Sequence, residues 1–121
     1  NFHPMEHPYF QYEKEALHQM AEQNDATAQY MYAYKLGRNE KEKGKYWYLR
    51  AAQNGYTYGF FRAAQLMHSQ ETKIEAYALY LLAEKTGPEE HKQDTQSYAR
   101  TLKLSKQELV IAKQKVEELR K

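Results

Sequence analysis

Five histidines offer metal chemistry, and His3 and His7 stand four residues apart. On a helix that spacing would bring two imidazoles to one face, but Pro4 and Pro8 deny the segment a helix, so no structural zinc site is expected. His3 has a second reading. If Asn1 is a free terminus, its amine, two backbone amides and the His3 imidazole form a square-planar Cu(II) set, although a third-position histidine also arises by chance. Catalytic groups are sparse. Serine occurs only at positions 69, 97 and 105, outside any nucleophile-elbow sequence, and aspartate only at Asp25 and Asp94. Cysteine is absent, which excludes disulfides, thiolate catalysis and zinc-thiolate sites. Glutamates lie mostly beside lysines, the pattern of a solvated face, and no phosphate-cradling glycine loop is present. No metal, cofactor or catalytic residue is therefore assigned.

The richer chemistry is aromatic, with twelve tyrosines, four phenylalanines and one tryptophan in 121 residues. Tyr32, Tyr48 and Tyr80 fall at positions expected to pack. Where Ala28, Tyr32 and Leu36 define a buried face, Thr27, Tyr30, Met31, Tyr34 and Arg38 point elsewhere, and Tyr58, Phe61, Arg62 and Gln65 hold the equivalent positions further on. Tyrosine and arginine are enriched among the residues that carry binding energy at protein interfaces. Tyr30, Met31, Tyr34, Arg38, Tyr58, Phe61, Arg62 and Gln65 are thus the candidate partner-binding residues. For Tyr30 and Phe61 a place at the edge of the core between adjacent helices stays open.

Lysine plus arginine (18) exceeds aspartate plus glutamate (16) by two, without a basic stripe, so nucleic acid is not an expected partner. A mean hydropathy of −1.03 leaves no window suited to a membrane span. The chain begins at Asn1 with no apolar leader before it. This start reads as either a trimmed chain or one relieved of a leader peptide; the second would imply a periplasmic or secreted protein, the first a cytoplasmic one.

The elements that position these residues follow from internal repetition. Gln23-Asn24-Asp25-Ala26-Thr27-Ala28 is answered by Asn54-Gly55-Tyr56-Thr57-Tyr58-Gly59, and the run Tyr46 to Gly55 by Ala78 to Gly87. The turn residues Asn24, Gly55 and Gly87 are 31 and 32 residues apart, a period of stacked helix pairs. Asn1 to Phe10, with its prolines, reads as an extended arm (residues 1–11). A first helix is expected over about Tyr12 to Gln23, then a second begun at Asn24 or Asp25 and ended by Gly37. Gly37 to Lys43 reads as a solvated connection. The next helix carries Trp47, Tyr48, Ala51 and Ala52 and stops at Asn54-Gly55; its successor carries Gly59, Phe60, Ala63, Ala64 and Met67. Thr72 and Glu75 match a capping box before a helix over Lys73 to Lys85, and Pro88 suits a first helical position. Ser105 with Glu108 forms a second capping box, and Leu104 with Leu109 a hydrophobic staple, before a stripe of Leu109, Ala112, Val116 and Leu119. The sum is an all-α chain of about seven helices.

Gly44, Trp47, Tyr48, Ala51, Ala52 and Gly55, followed by Gly59, Ala63 and Ala64, resemble the Sel-one-like repeat, a relative of the tetratricopeptide repeat. Ala76, Leu79, Tyr80, Ala83 and Gly87 give a weaker copy, and Ala26, Ala28, Gln29, Tyr32 and Ala33 match the helix before the tryptophan copy. The segment from Leu104 resembles the capping helix of such arrays. Asn24 replaces a glycine, the Gly37 to Glu42 connection is shortened, and the helix after Pro88 keeps little of the pattern. The resemblance implies a short right-handed α-solenoid over residues 12–121, made of antiparallel helix pairs with a capping C-terminal helix, and a concave side lined by the candidate residues. It also implies a non-catalytic binding protein. Among bacterial members this would be an immunity protein that masks a secreted toxin, or a scaffold or regulatory adaptor in envelope assembly or signalling. A hydrolase built on histidine and glutamate finds no triad.

Overall fold

The computed structural model describes residues 8–119, apart from the Phe10 side chain. The His3, His7 and Asn1 readings lie outside these residues. Seven α-helices and no strand occur among them: α1 (Lys14–Glu22), α2 (Ala26–Leu36), α3 (Lys41–Gln53), α4 (Tyr58–Gln65), α5 (Lys73–Thr86), α6 (Lys92–Arg100) and α7 (Lys106–Leu119). The chain is therefore all-α. It divides into two compact units, Asn1–Gly59 and Phe60–Lys121.

In the first unit α2 packs against both α1 and α3. Asp25 begins α2, its carboxylate accepting the Ala28 amide proton at 3.0 Å, so a donor that the helix cannot satisfy is capped. The turn before it is a Schellman motif. Asp25 N donates to Met20 O (3.3 Å) and Asn24 N to Ala21 O (3.1 Å). The same frame recurs after α3, where Tyr56 N donates to Ala51 O (2.8 Å) and Gly55 N to Ala52 O (3.1 Å). Asn24 (φ 67°) and Gly55 (φ 109°) are its left-handed residues. The repetition read from the sequence is here a repeated hydrogen-bond pattern. Gly87 departs from it: at φ −87° it caps α5 with a single bond to Ala83 O.

Small residues permit the close approaches. Ala28, Ala51, Ala63, Ala64, Ala76 and Ala112 are wholly buried. A β-carbon on Gly59 would collide with the backbone oxygen of Tyr48 and stand 3.2 Å from Ala52 N. Around these contacts the aromatics fill space. Tyr30 stacks on Tyr56 at 4.6 Å and lies edge-on to Tyr48 at 5.2 Å. Tyr32 and Tyr48 are buried as expected. Gln29 is buried and fully used: its amide donates to Ala21 O (2.9 Å) and its carbonyl accepts from Asn54 (3.0 Å).

In the second unit α5 packs against α6 and α7. Phe61 and Tyr98 stand edge-on at 5.2 Å, with buried Tyr80 beside both. The Ser105 and Glu108 box forms reciprocally, the Ser105 amide donating to the carboxylate (2.9 Å) and the Glu108 amide to the hydroxyl (3.1 Å). Glu108 also pairs with Lys73 at 3.4 Å, tying α7 to the start of α5.

Several expectations are corrected. Pro8–Gln11 is a 3-10 turn rather than extended arm, held to the start of α2 by the Tyr9 hydroxyl on Asp25 (3.0 Å). The Gly37 to Lys43 connection contains a second 3-10 turn, Arg38–Glu40, and α3 already begins at Lys41. Thr72 makes no capping hydrogen bond to α5. Its hydroxyl donates back to Met67 O at 2.7 Å, because the backbone there is helical rather than extended. Pro88 precedes a 3-10 turn, Glu89–His91, so α6 starts only at Lys92.

Candidate functional site

Of the residues singled out from the sequence, Tyr30, Met31 and Phe61 are 1%, 0% and 6% exposed. They are core, and a partner-facing role for them is withdrawn. The physical reason lies in α2 itself: Ala28 through Ala33 are all buried, because the helix has neighbours on two sides and no single solvent face. Tyr34 and Tyr58 are half-buried, and Arg38 is exposed on its 3-10 turn. Tyr58 joins the Tyr30 cluster at a ring distance of 6.1 Å. In the second unit Arg62 donates to Gln65 at 3.3 Å, and both are half-buried.

The surface richest in contacts that partners favour lies on α3. Lys43, Tyr46, Trp47 and Arg50 follow the spacing i, i+3, i+4, i+7, which sets them in one stripe along the helix. Trp47 is 7% exposed and acts as a wall, edge-on to Tyr32 (5.7 Å), His18 (5.8 Å) and Tyr46 (5.1 Å). His18 stacks on Tyr32 at 4.6 Å, closing the row. Tyr46 is 51% exposed, yet it is held. The Arg50 guanidinium lies 5.7 Å from its ring centroid and 5.3 Å from that of Trp47, and Arg50 Nη1 donates to the Tyr46 hydroxyl at 3.1 Å. Arg50 Nη2 donates to Asn24 Oδ1 at 2.8 Å, so the turn residue in the left-handed conformation orients the arginine. The sequence reading passed over Tyr46 and Arg50, because Trp47-Tyr48 and Ala51-Ala52 beside them had already been given to packing. The i, i+3, i+4, i+7 stripe was the signal available.

Titration behaviour is otherwise structural. Burial raises the Tyr56 and Tyr80 hydroxyls well above the usual tyrosine range. The Asp25 hydrogen bond raises Tyr9. Burial lowers His68, whose Nε2 shares a 2.7 Å hydrogen bond with the Tyr80 hydroxyl. The Ser105 amide, helped by Lys73, lowers Glu108. Among the described residues no three histidine, aspartate or glutamate side chains stand close enough to share a metal ion. No helix among them is long and apolar enough to cross a membrane.

No family model, curated protein or solved structure matches this chain.

Proposed function

We propose that this chain is a protein-binding module whose helix pairs stack as Sel-one-like repeats do. The observation that carries the reading is the α3 surface: an aromatic residue half in solvent, Tyr46, set against a buried tryptophan and an oriented arginine. Pre-ordered tyrosine, tryptophan and arginine side chains bind with little further loss of rotamer freedom, which is why they dominate interface energetics. Tyr34 and Arg38 are further candidates in the same unit, and Arg62 and Gln65 in the other. Neutralising a toxin and serving as an adaptor are both uses of such a module. The test is affinity capture from the native source with the unmodified chain, beside Tyr46→Ala, Tyr34→Ala and Arg62→Ala. The reading expects a protein whose capture weakens in at least one variant while the helical melt is kept, a binding loss of about 1–3 kcal/mol. Capture that all three variants leave unchanged refutes it.

A further inference from the structure

We infer that Arg50 is the anchor for a carboxylate of the partner, an aspartate or glutamate side chain that seats on its guanidinium with its stem against Tyr46; this rests on the binding-module reading.

The argument begins with what Arg50 does not touch. Its polar partners are Asn24 Oδ1 and the Tyr46 hydroxyl, both neutral, and its other contacts are the faces of two rings. Three lysines stand near acids, Lys43 with Glu40 (3.4 Å), Lys92 with Glu89 (3.2 Å) and Lys73 with Glu108 (3.4 Å). Arg50 is half-buried and pairs with no acid among the described residues. A guanidinium carries five N–H donors, of which one on each terminal nitrogen is spent here, leaving three for a planar acceptor. A carboxylate takes two of them at once, and it alone among protein side chains also supplies the missing charge.

The second part is orientation. Asn24 sits at φ 67°, where glycine meets no strain, and the side chain it retains is used to hold Arg50 Nη2. The two hydrogen bonds, to the Tyr46 hydroxyl and to Asn24 Oδ1, fix the fork, with the Tyr46 and Trp47 rings within cation–π reach of its charge. The charge is thus fixed in place before any partner arrives, and the exposed Tyr46 ring beside it offers apolar surface for the methylene stem of an acidic residue.

The experiment uses the full chain labelled with nitrogen-15 and follows the arginine Nε–H resonances, with Arg50 assigned by its disappearance in Arg50→Lys. The probe is acetyl-Ala-Leu-Glu-Leu-Ala-amide. The expected result is a saturable shift of the Arg50 resonance and of the Trp47 indole, and at least about fivefold less response to the same peptide with glutamine in place of glutamate. Asn24→Gly, which keeps the turn and frees the guanidinium, is expected to weaken the response about threefold with an undiminished melt. Equal shifts from the glutamine peptide overturn the inference, as does a shift confined to other arginines. So does tighter occupancy by inorganic phosphate, which would make the site one for phosphate groups. Protein capture that survives Arg50→Lys undiminished removes the carboxylate anchor and leaves the binding module standing, whereas failure of the module appears as capture that no surface variant changes.

Discussion

Replacing Gly59 with alanine tests the packing of α4 through the sign of its effect. In an exposed helix the change is favourable by about 1 kcal/mol, since glycine carries the larger backbone entropy cost. At this position the added methyl meets the carbonyl oxygen of Tyr48 and comes within 3.2 Å of Ala52 N. Both obstacles are backbone atoms of α3, so no rotamer change clears them. Relief requires the backbone at Gly59 to move away from α3. Overpacking costs about 1–3 kcal/mol, and two backbone obstacles place this site in the upper half of that range, about 2–3 kcal/mol. With the propensity gain set against it, Gly59→Ala is expected to lose about 1–2 kcal/mol, or roughly 4–8 °C in Tm for a chain of this size. Urea denaturation followed by far-ultraviolet circular dichroism measures the loss as a lower midpoint at an unchanged slope. A variant as stable as the parent, or more stable, would refute the close approach and with it the need for small residues at this place in the repeat.

Trp47→Ala is expected to cost about 3–5 kcal/mol in the same assay, because it removes the wall shared by Tyr32, His18 and Tyr46; a loss below about 1 kcal/mol would contradict its burial. Glu108 titrates low in the folded chain, so its stabilising share is complete above the unfolded value of about 4.3 and disappears as pH falls through the folded one. Carbon-13 titration should place its carboxyl below ordinary glutamates, and Lys73→Met should bring it part of the way back while the Ser105 amide, a main-chain donor, still holds it low. His68 also titrates low, so the folded chain holds fewer protons than the unfolded one, and stability should decline as pH falls below about 6.5. A proton titration with His68 at or above that value would contradict the partial desolvation of its ring where it meets Tyr80.

The parts of the fold legible in the sequence were those with local causes. Asp25 and the Ser105 to Glu108 pair cap because a short polar side chain reaches an amide two or three residues on, and the spacing of Asn24 and Gly55 marked two equal turns. Thr72 misled because the same spacing serves a different bond once the backbone preceding the helix is itself helical. Tyr30 and Phe61 could not be placed by periodicity. A helix with neighbours on two sides has no polar face to contrast, and which tyrosines are inside depends on neighbours remote in the chain. Tyr46 shows the converse, an aromatic left partly in water beside the buried Trp47.

The Gln29 side chain has a consequence for how the first unit comes apart. Its two polar ends join the carbonyl of Ala21, in the last turn of α1, to Asn54, at the end of α3. Loosening either helix end strands a buried amide, so fraying at one turn raises the penalty for leaving the other closed. The two turns should therefore open as one cooperative unit. In native-state hydrogen exchange the amides of Asn24 and Gly55 would then share one opening free energy, and a protease acting on locally opened chain would find the two turns exposed together.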